Sequence, residues 1–160
     1  MSSILGVETL QHTNGTTALT IDSSGRVFTP ARPAFHAYKG DDTSLQASGT
    51  YIFNSTFTNI GNCYDTTTGR FTAPVNGVYV FSTSLQMYGA SGGRNLQFFK
   101  NGSQLHSGGN AEVVGQTPNT TTHQTVSYTA VLELVATDYI TVHQTGFRGM
   151  QSHFSGYLLG

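Results

Sequence analysis

A two-residue alternation of bulky apolar and small side chains is the feature that most constrains what this chain can fold into. Tyr79 and Phe81, for example, alternate with Val80 and Ser82. Because successive side chains of a strand point to opposite faces of a sheet, this period predicts half-buried antiparallel strands. The residues predicted to share the inward faces are Tyr51, Phe53 and Phe57, then Tyr79, Phe81, Leu85 and Met87, then Val126, Tyr128, Ala130, Leu132 and Leu134, and last Ile140 and Val142. No convincing stretch keeps the three-and-four spacing of an amphipathic helix, so the fold class is expected to be all-β.

Turn-forming dipeptides fall where such strands must reverse. Asn101-Gly102 follows one predicted strand, Asn76-Gly77 precedes another, and Thr68-Gly69 lies between two short ones. Short strands that are broken regularly by such turns are typical of a β-sandwich or a jelly roll. Pro74 has no N–H group to donate, so it is expected at the start or at the edge of a strand.

The N-terminal segment differs in character from the rest. The stretch TALTIDSSGRVFTP predicts one small hairpin. Its parts are Leu19 and Ile21 on one arm, Ser23-Ser24-Gly25 in the turn, and Val27 and Phe28 on the other arm. A pair of strands this small is marginally stable alone, so the segment is expected to become ordered against another surface. Residues 1–33 are therefore predicted to be an attachment arm, and residues 34–160 to be one compact domain.

The charge of the chain is low, and this limits the classes of partner. Only 9% of the residues are charged and the formal net charge is -1, so there is no basic footprint for nucleic acid. Cys63 is the only cysteine and is expected to be a small buried apolar residue. The N-terminal MSSILGVE lacks a secretory signal pattern, and no segment approaches the about 18 apolar residues of a membrane span. We expect neither nucleic-acid binding nor membrane insertion.

The residues that carry chemistry do not form a recognisable catalytic pattern. Ser91 lies in GASGG, which matches a nucleophile elbow, but a strand candidate follows where the elbow needs a helix, so Ser91 is interpreted as a loop tip. The six histidines show no spacing of a zinc protease site, and the acidic residues Glu112, Glu133, Asp65 and Asp138 lie far apart in sequence. No catalytic residue is assigned and no enzyme is expected.

Two alternatives for binding remain open at this point. His143 or His153 would matter if symmetry gathered copies of the chain around an axis, although a surface or hydrogen-bonded histidine is the favoured interpretation. Asp41-Asp42 would supply oxygen ligands to a hard cation such as calcium, with a plain exposed turn as the favoured interpretation. No cofactor-binding residue and no metal ligand is assigned.

A set of motifs stands in a fixed order from residue 34 to the end of the chain. They are Phe35 in PAFHAY, then NIGNCYD, TTGRFTAPV and GVYVFS, then Asn101-Gly102 in KNG, the late pattern of Leu132, Leu134, Asp138 and Val142, and the closing FSGYLLG. This set resembles the C1q-like domain, the ten-stranded jelly-roll β-sandwich shared with tumour necrosis factor-like trimers. Two positions depart from the family pattern: Thr137 stands where a glycine is usual, and Tyr157 where a phenylalanine is usual.

The resemblance implies a tight homotrimer that displays loops at its distal end. Members of the family often bind calcium in loops near the threefold axis, but the ligands have no match here, so no metal residue is carried over. The N-terminal segment resembles those of bacteriophage C1q-like proteins, in which a short attachment region precedes a trimeric head.

These points together lead to a functional hypothesis. The chain is expected to be a non-enzymatic phage virion protein, a fibre or decoration protein exposed on the particle surface after synthesis in the host cytoplasm. Its partners would be itself, as a homotrimer, and other virion proteins through residues 1–33. The alternative is a tail fibre or adhesin whose distal loops, 88–94 and 108–123, bind a host-surface glycan.

Overall fold

The computed structural model describes residues 6–40, 48–90, 95–105, 120–145 and 152–160, without the side chains of 87–90 and 120–124. The chain divides into two compact units, Met1–Arg32 and Pro33–Gly160. Every regular element of the described residues is a β-strand. The described part of the chain accordingly contains no helix of the length and hydropathy that a membrane span requires.

The first unit is a three-stranded antiparallel sheet in the order β1-β2-β3. Its strands are β1 (Thr9–Gln11), β2 (Thr17–Ile21) and β3 (Val27–Phe28). Pairing of β2 with β3 confirms the predicted hairpin, and the Asp22 carboxylate accepts the backbone N–H groups of Ser24 and Arg26, each at 2.9 Å. The strand β1 was not predicted, because its three residues are all exposed and are too few to show an alternation of apolar and polar side chains. No described residue from 6 to 32 is buried, so this sheet has no core of its own.

The second unit contains a five-stranded antiparallel sheet in the order β12-β9-β14-β4-β6. Its strands are β4 (Ala34–Tyr38), β6 (Ser55–Ile60), β9 (Gly77–Ala90), β12 (Thr120–Leu134) and β14 (His153–Leu158). The long pair β9 and β12 forms one side of the sheet, and β14 joins that pair to β4.

A six-stranded sheet completes the second unit. It runs β11-β10-β13-β8-β7, with β5 also paired to β13. Its strands are β5 (Gly49–Thr50), β7 (Tyr64–Asp65), β8 (Arg70–Thr72), β10 (Leu96–Lys100), β11 (Ser103–Gln104) and β13 (Tyr139–Gln144). Buried side chains of both sheets share one core cluster, which confirms the predicted all-β, jelly-roll-like sandwich.

The core is predominantly aromatic and is centred on Phe35. The Phe35 ring stacks on Tyr64 with centroids 4.9 Å apart and meets Phe154 edge-on at 4.8 Å. The predicted inward residues that are buried are Tyr51, Phe53, Tyr79, Phe81, Leu85, Val126, Leu134, Ile140 and Val142, and Tyr128, Ala130 and Leu132 pack partly buried against them. The side chain of Met87 lies outside the described residues. Alternation therefore located half of the buried core, and Phe71, Phe98 and Phe154 are among the buried residues that it did not include.

The predicted turns are also confirmed. Asn101 and Gly102 connect β10 to β11 with φ of 51° and 79°, the left-handed conformation that a two-residue hairpin turn requires. Gly69, with φ of 70°, lies between β7 and β8, and β9 begins at Gly77.

Three expectations are wrong, each for a local reason. Phe57 is 67% exposed, because a β-bulge in the pairing of β4 with β6 leaves it unpaired and turns it to the outer face. Pro74 lies in the connection between β8 and β9, so neither strand has to accommodate its missing N–H group. Thr141 was expected on the outward face, because it alternates with Ile140 and Val142, but it is buried because Phe99 and Arg70 flank it directly on the adjacent strands.

Candidate functional site

The outer surface of the five-stranded sheet carries almost no charge. Glu133 is the only Asp, Glu, Lys or Arg residue in its five strands. We call this surface the charge-poor face. Its described residues include His36, Tyr38, Phe57, Val80, Ser82, Ser84, Ser127, Thr129, Val131, His153, Ser155 and Tyr157. This surface consists of hydroxyl, imidazole and apolar side chains. It is suited to contact with another protein surface, because few charges have to be desolvated.

Several large apolar side chains are exposed on this face. Phe57, Ile60, Val131 and Tyr157 are between 43% and 67% exposed. The Phe57 ring stacks on Tyr38 with centroids 4.2 Å apart and an interplanar angle of 20°. An exposed aromatic pair of this kind is typical of the anchor residues of protein interfaces.

Two histidines lie beside this aromatic pair. His36 meets Phe57 edge-on with centroids 5.2 Å apart, and its Nε2 lies 3.3 Å from Nδ1 of His153. Partial burial, and secondly the positive charge that His153 would carry, lower the pKa of His36 below its ordinary value. The environment of His36 therefore favours its neutral form.

Among the described residues of the domain, most charged groups lie on the six-stranded sheet and its turns, whereas Glu133 lies in β12 and Lys39 directly follows β4. The Arg70 guanidinium lies 4.2 Å from the centroid of the Tyr139 ring, and Lys100 Nζ lies 2.8 Å from an oxygen of Asp138. The two outer surfaces thus differ in chemistry, and the contrast makes the five-stranded sheet the candidate contact surface.

Two of the four acidic residues considered, Asp138 and Asp65, stabilise their own turns, whereas Glu133 is exposed in β12. Asp138 accepts hydrogen bonds from Lys100, Asn101 and the Val135 backbone, which lower its pKa to about 2. The Thr67 and Thr68 hydroxyls and backbone lower the pKa of Asp65 to about 2. Carboxylates that accept several hydrogen bonds and have so low a pKa stabilise the conformation of their turns. They are unsuited to general acid–base catalysis near neutral pH.

The remaining candidate site residues are either buried or lie outside the described residues. Cys63 is buried as expected, and burial raises the pKa of its thiol to about 11, which makes it a poor nucleophile. Ser91, Glu112, Asp41-Asp42 and most of the loops 88–94 and 108–123 lie outside the described residues. Within the described residues, no three His, Cys, Asp or Glu side chains are grouped to hold a metal ion.

A shallow cavity of about 150 Å³ lies on the six-stranded sheet. The Phe99 and His143 rings, stacked 3.6 Å apart, form part of its wall, and His143 Nε2 lies 3.0 Å from the Thr50 hydroxyl. Asn95 and Gln97 also line it, and Gln97 makes no side-chain hydrogen bond to the described residues. Neutral polar groups beside an aromatic surface are suited to a neutral polar ligand.

Sequence reasoning missed the most distinctive part of the charge-poor face. Phe57 was predicted to be a core residue, and nothing in the sequence placed His36 beside His153, because the pairing of β4 with β14 joins segments 117 residues apart. The motifs PAFHAY and SHFSGYLLG each contain one of the two histidines next to a core phenylalanine. That common pattern was the available signal that both rings point outward.

Comparison with known proteins assigns the second unit to a family. The model of the C1q domain family matches residues 34–159. The chain belongs to the C1q domain family. The resemblance inferred from the motifs is thereby confirmed for the domain.

Relatives and solved structures agree with this assignment. The chain is 34% identical over 131 residues to complement C1q tumor necrosis factor-related protein 3 from Homo sapiens and from Mus musculus, which covers 79% of this chain and 50% of either relative. It is 32% identical over 140 residues to Caprin-2 from Danio rerio, covering 82% of this chain and 14% of that protein. The C1q domain therefore spans half the length, or less, of these relatives.

Two solved structures share the fold at lower identity. The globular domain of zebrafish complement 1qA protein has a TM-score of 0.60 at 22% identity, covering 81% of this chain and 98% of that one. Murine APRIL has a TM-score of 0.58 at 12% identity, covering 80% and 99%. Both support the β-sandwich architecture of the C1q domain described above.

Proposed function

We propose that this protein is a non-enzymatic structural component of a phage virion, in which three C1q domains associate through their charge-poor faces and residues 1–33 attach the trimer to the particle. The single observation that carries the self-association is the exposed Phe57–Tyr38 pair on a sheet surface with one charged residue. A surface of this composition gains by being covered, since apolar area removed from water contributes about 25 cal/mol per Å².

The attachment role rests on the three-stranded sheet of the first unit. Leu10, Val27 and Phe28 are between 46% and 60% exposed, and no described residue of that unit is buried. A sheet without a core gains stability from a partner surface, because its apolar side chains are otherwise left in water. Three copies presented together would raise the effective concentration of the second and third contacts. The phage origin rests on the resemblance of this segment to phage C1q-like proteins.

Native mass spectrometry of the full chain tests the trimer. We expect a complex of three chains, with no stable dimer, since a threefold arrangement is completed only by the third copy. A spectrum that contains only the single chain at micromolar concentration would overturn the proposal.

Incorporation into particles tests the attachment role. In the full chain, Val27→Ser combined with Phe28→Ser should leave the complex of three chains intact but abolish its recovery with purified virions. Val75→Ser is the matched control, because Val75 is 46% exposed and lies in the second unit. Normal recovery of the double variant would show that this sheet does not make the attachment.

Glycan binding is a second candidate function, favoured by the cavity beside Phe99 and His143. Its amide side chains and stacked rings suit the hydroxyl groups and the apolar face of a neutral sugar. On a glycan array, binding that is lost in Gln97→Ala but retained in Gln104→Ala would support this function. Signals that are absent, or equal in the two variants, would exclude the cavity as a sugar site.

A further inference from the structure

The two histidines of the charge-poor face have an arrangement that the proposed function does not use. His36 lies in β4 and His153 in β14, adjacent antiparallel strands of the same sheet. His36 Nε2 and His153 Nδ1 are 3.3 Å apart, and the rings are inclined by 58° with centroids separated by 5.4 Å. Two ring nitrogens therefore converge on one point at a half-exposed surface.

The protons of the two rings are free to move to the far side. Within the described residues, neither Nδ1 of His36 nor Nε2 of His153 is hydrogen-bonded to a protein group. In the contact as it stands, one facing nitrogen donates its proton to the other. An ion placed between the rings would displace this proton to the outward nitrogen of the same ring, where no protein group of the described residues blocks it. Both facing nitrogens then offer lone pairs, which is the state a metal ion requires.

We propose that His36 and His153 form a binding site for a divalent transition-metal ion of the zinc class. Zinc binds imidazole nitrogen at about 2.0–2.1 Å. With the two nitrogens 3.3 Å apart, the N–Zn–N angle would be about 107°, which is close to the tetrahedral value. Neutral rings bind the ion without losing a proton. Calcium and magnesium are disfavoured, because they prefer oxygen ligands.

Water completes the coordination in a single chain. No third His, Cys, Asp or Glu side chain joins the pair among the described residues, so the affinity should be moderate. The strands fix both backbones, which reduces the ordering that the ion has to impose. One chain supplies both ligands, so the site does not require self-association, but the pair lies beside Phe57 on the face that the proposed trimer covers. Zinc binding is therefore compared at concentrations below and above those at which the chains associate.

Titration of the full chain with zinc chloride against a chromogenic chelator tests the site. We expect one ion per chain. Binding should be weakened at least about ten-fold in His36→Gln or in His153→Gln, because replacing even a residue that only hydrogen-bonds to a metal ligand lowers the affinity about ten-fold or more. The double variant should bind no more weakly than either single variant, because the two rings act as a unit. Circular dichroism confirms that each variant is folded.

His12→Gln and His143→Gln are the matched controls. His12 lies in the first unit and His143 on the six-stranded sheet, stacked on Phe99. Both should bind zinc within two-fold of the unaltered chain. Cobalt(II) should give the visible absorption of a tetrahedral site in the unaltered chain and in both controls, but not in His36→Gln or His153→Gln. Absence of zinc binding to the unaltered chain, or binding to His36→Gln and His153→Gln that is as tight as to the unaltered chain, would overturn the proposal.

Discussion

Gly156 shows how the absence of a side chain makes room for two core rings. It lies in β14 between Phe81 of β9 and Phe35 of β4. A Cβ atom built at this position would lie 2.6 Å from Phe81 Cδ1 and 2.9 Å from Phe35 Cε1. The absence of a side chain is therefore what lets these two core rings pack over the strand.

Replacing Gly156 should destabilise the domain by overpacking. We expect Gly156→Ala to lower the free energy of unfolding by about 1–3 kcal/mol, because neither ring can move without displacing others in the core. Urea unfolding measures the loss. Gly160→Ala is the control, since nothing lies within 4 Å of a Cβ at that position. Equal midpoints for the two variants would contradict this packing.

Asp138 should make the stability of the domain depend on pH in the acid range. Its pKa is about 2 in the folded chain, against an ordinary value of 3.8. A lowered carboxyl pKa contributes stability that is fully present above about pH 4 and is lost as the pH falls toward 2. The melting temperature of Asp138→Asn should therefore fall less between pH 4 and 2 than that of the unaltered chain. Identical slopes would count against the role of Asp138.

Individual residues were predictable where alternation was unbroken. Tyr79 and Phe81 are core residues, as the alternation predicted, whereas Phe57 is not. A bulge adds one residue to a strand and so inverts the parity of everything beyond it. Parity read from the sequence alone contains no sign of this insertion, and the anchor of the charge-poor face was missed for that reason.

At the scale of the element, the hairpin between β10 and β11 connects local turn chemistry to the strands around it. Asn101 has a φ of 51°. Its side-chain Nδ2 donates to Asp138 Oδ1 at 2.7 Å, and its side-chain Oδ1 accepts the Tyr139 N–H at 2.9 Å. The turn is therefore tied to the start of β13. Turn dipeptides predicted the reversal, but the tie to Asp138 depends on contacts 37 residues apart that no local pattern contains.

Two substitutions at Asn101 separate these contributions. Asn101→Gly keeps the left-handed backbone accessible but removes both hydrogen bonds, for a loss of about 1–3 kcal/mol. Asn101→Ala should lose a further 1–2 kcal/mol or so, because alanine is strained in that conformation. Thermal unfolding compares the two variants. An alanine variant as stable as the glycine variant would show that the turn is not strained.

At the scale of the whole molecule, the two faces of the sandwich are chemically unequal. The five-stranded sheet exposes aromatic and hydroxyl groups, and the six-stranded sheet with its turns carries Arg70, Lys100 and Asp138. The sequence predicted the fold class and the family, because alternation and motif order are properties of the chain. It did not predict which surface is charge-poor, because that surface is assembled from five strands whose neighbours are set by long-range pairing.

Sedimentation equilibrium of the full chain and of Phe57→Asp tests most directly whether copies meet through the charge-poor face. We predict that the unaltered protein sediments at three times the 17.1 kDa chain mass at micromolar concentration. A buried carboxylate without a partner is strongly disfavoured, so Phe57→Asp should sediment as the folded single chain, while the exposed control Val75→Asp remains trimeric. A single-chain mass for the unaltered protein, or a trimer that Phe57→Asp leaves intact, would contradict the account.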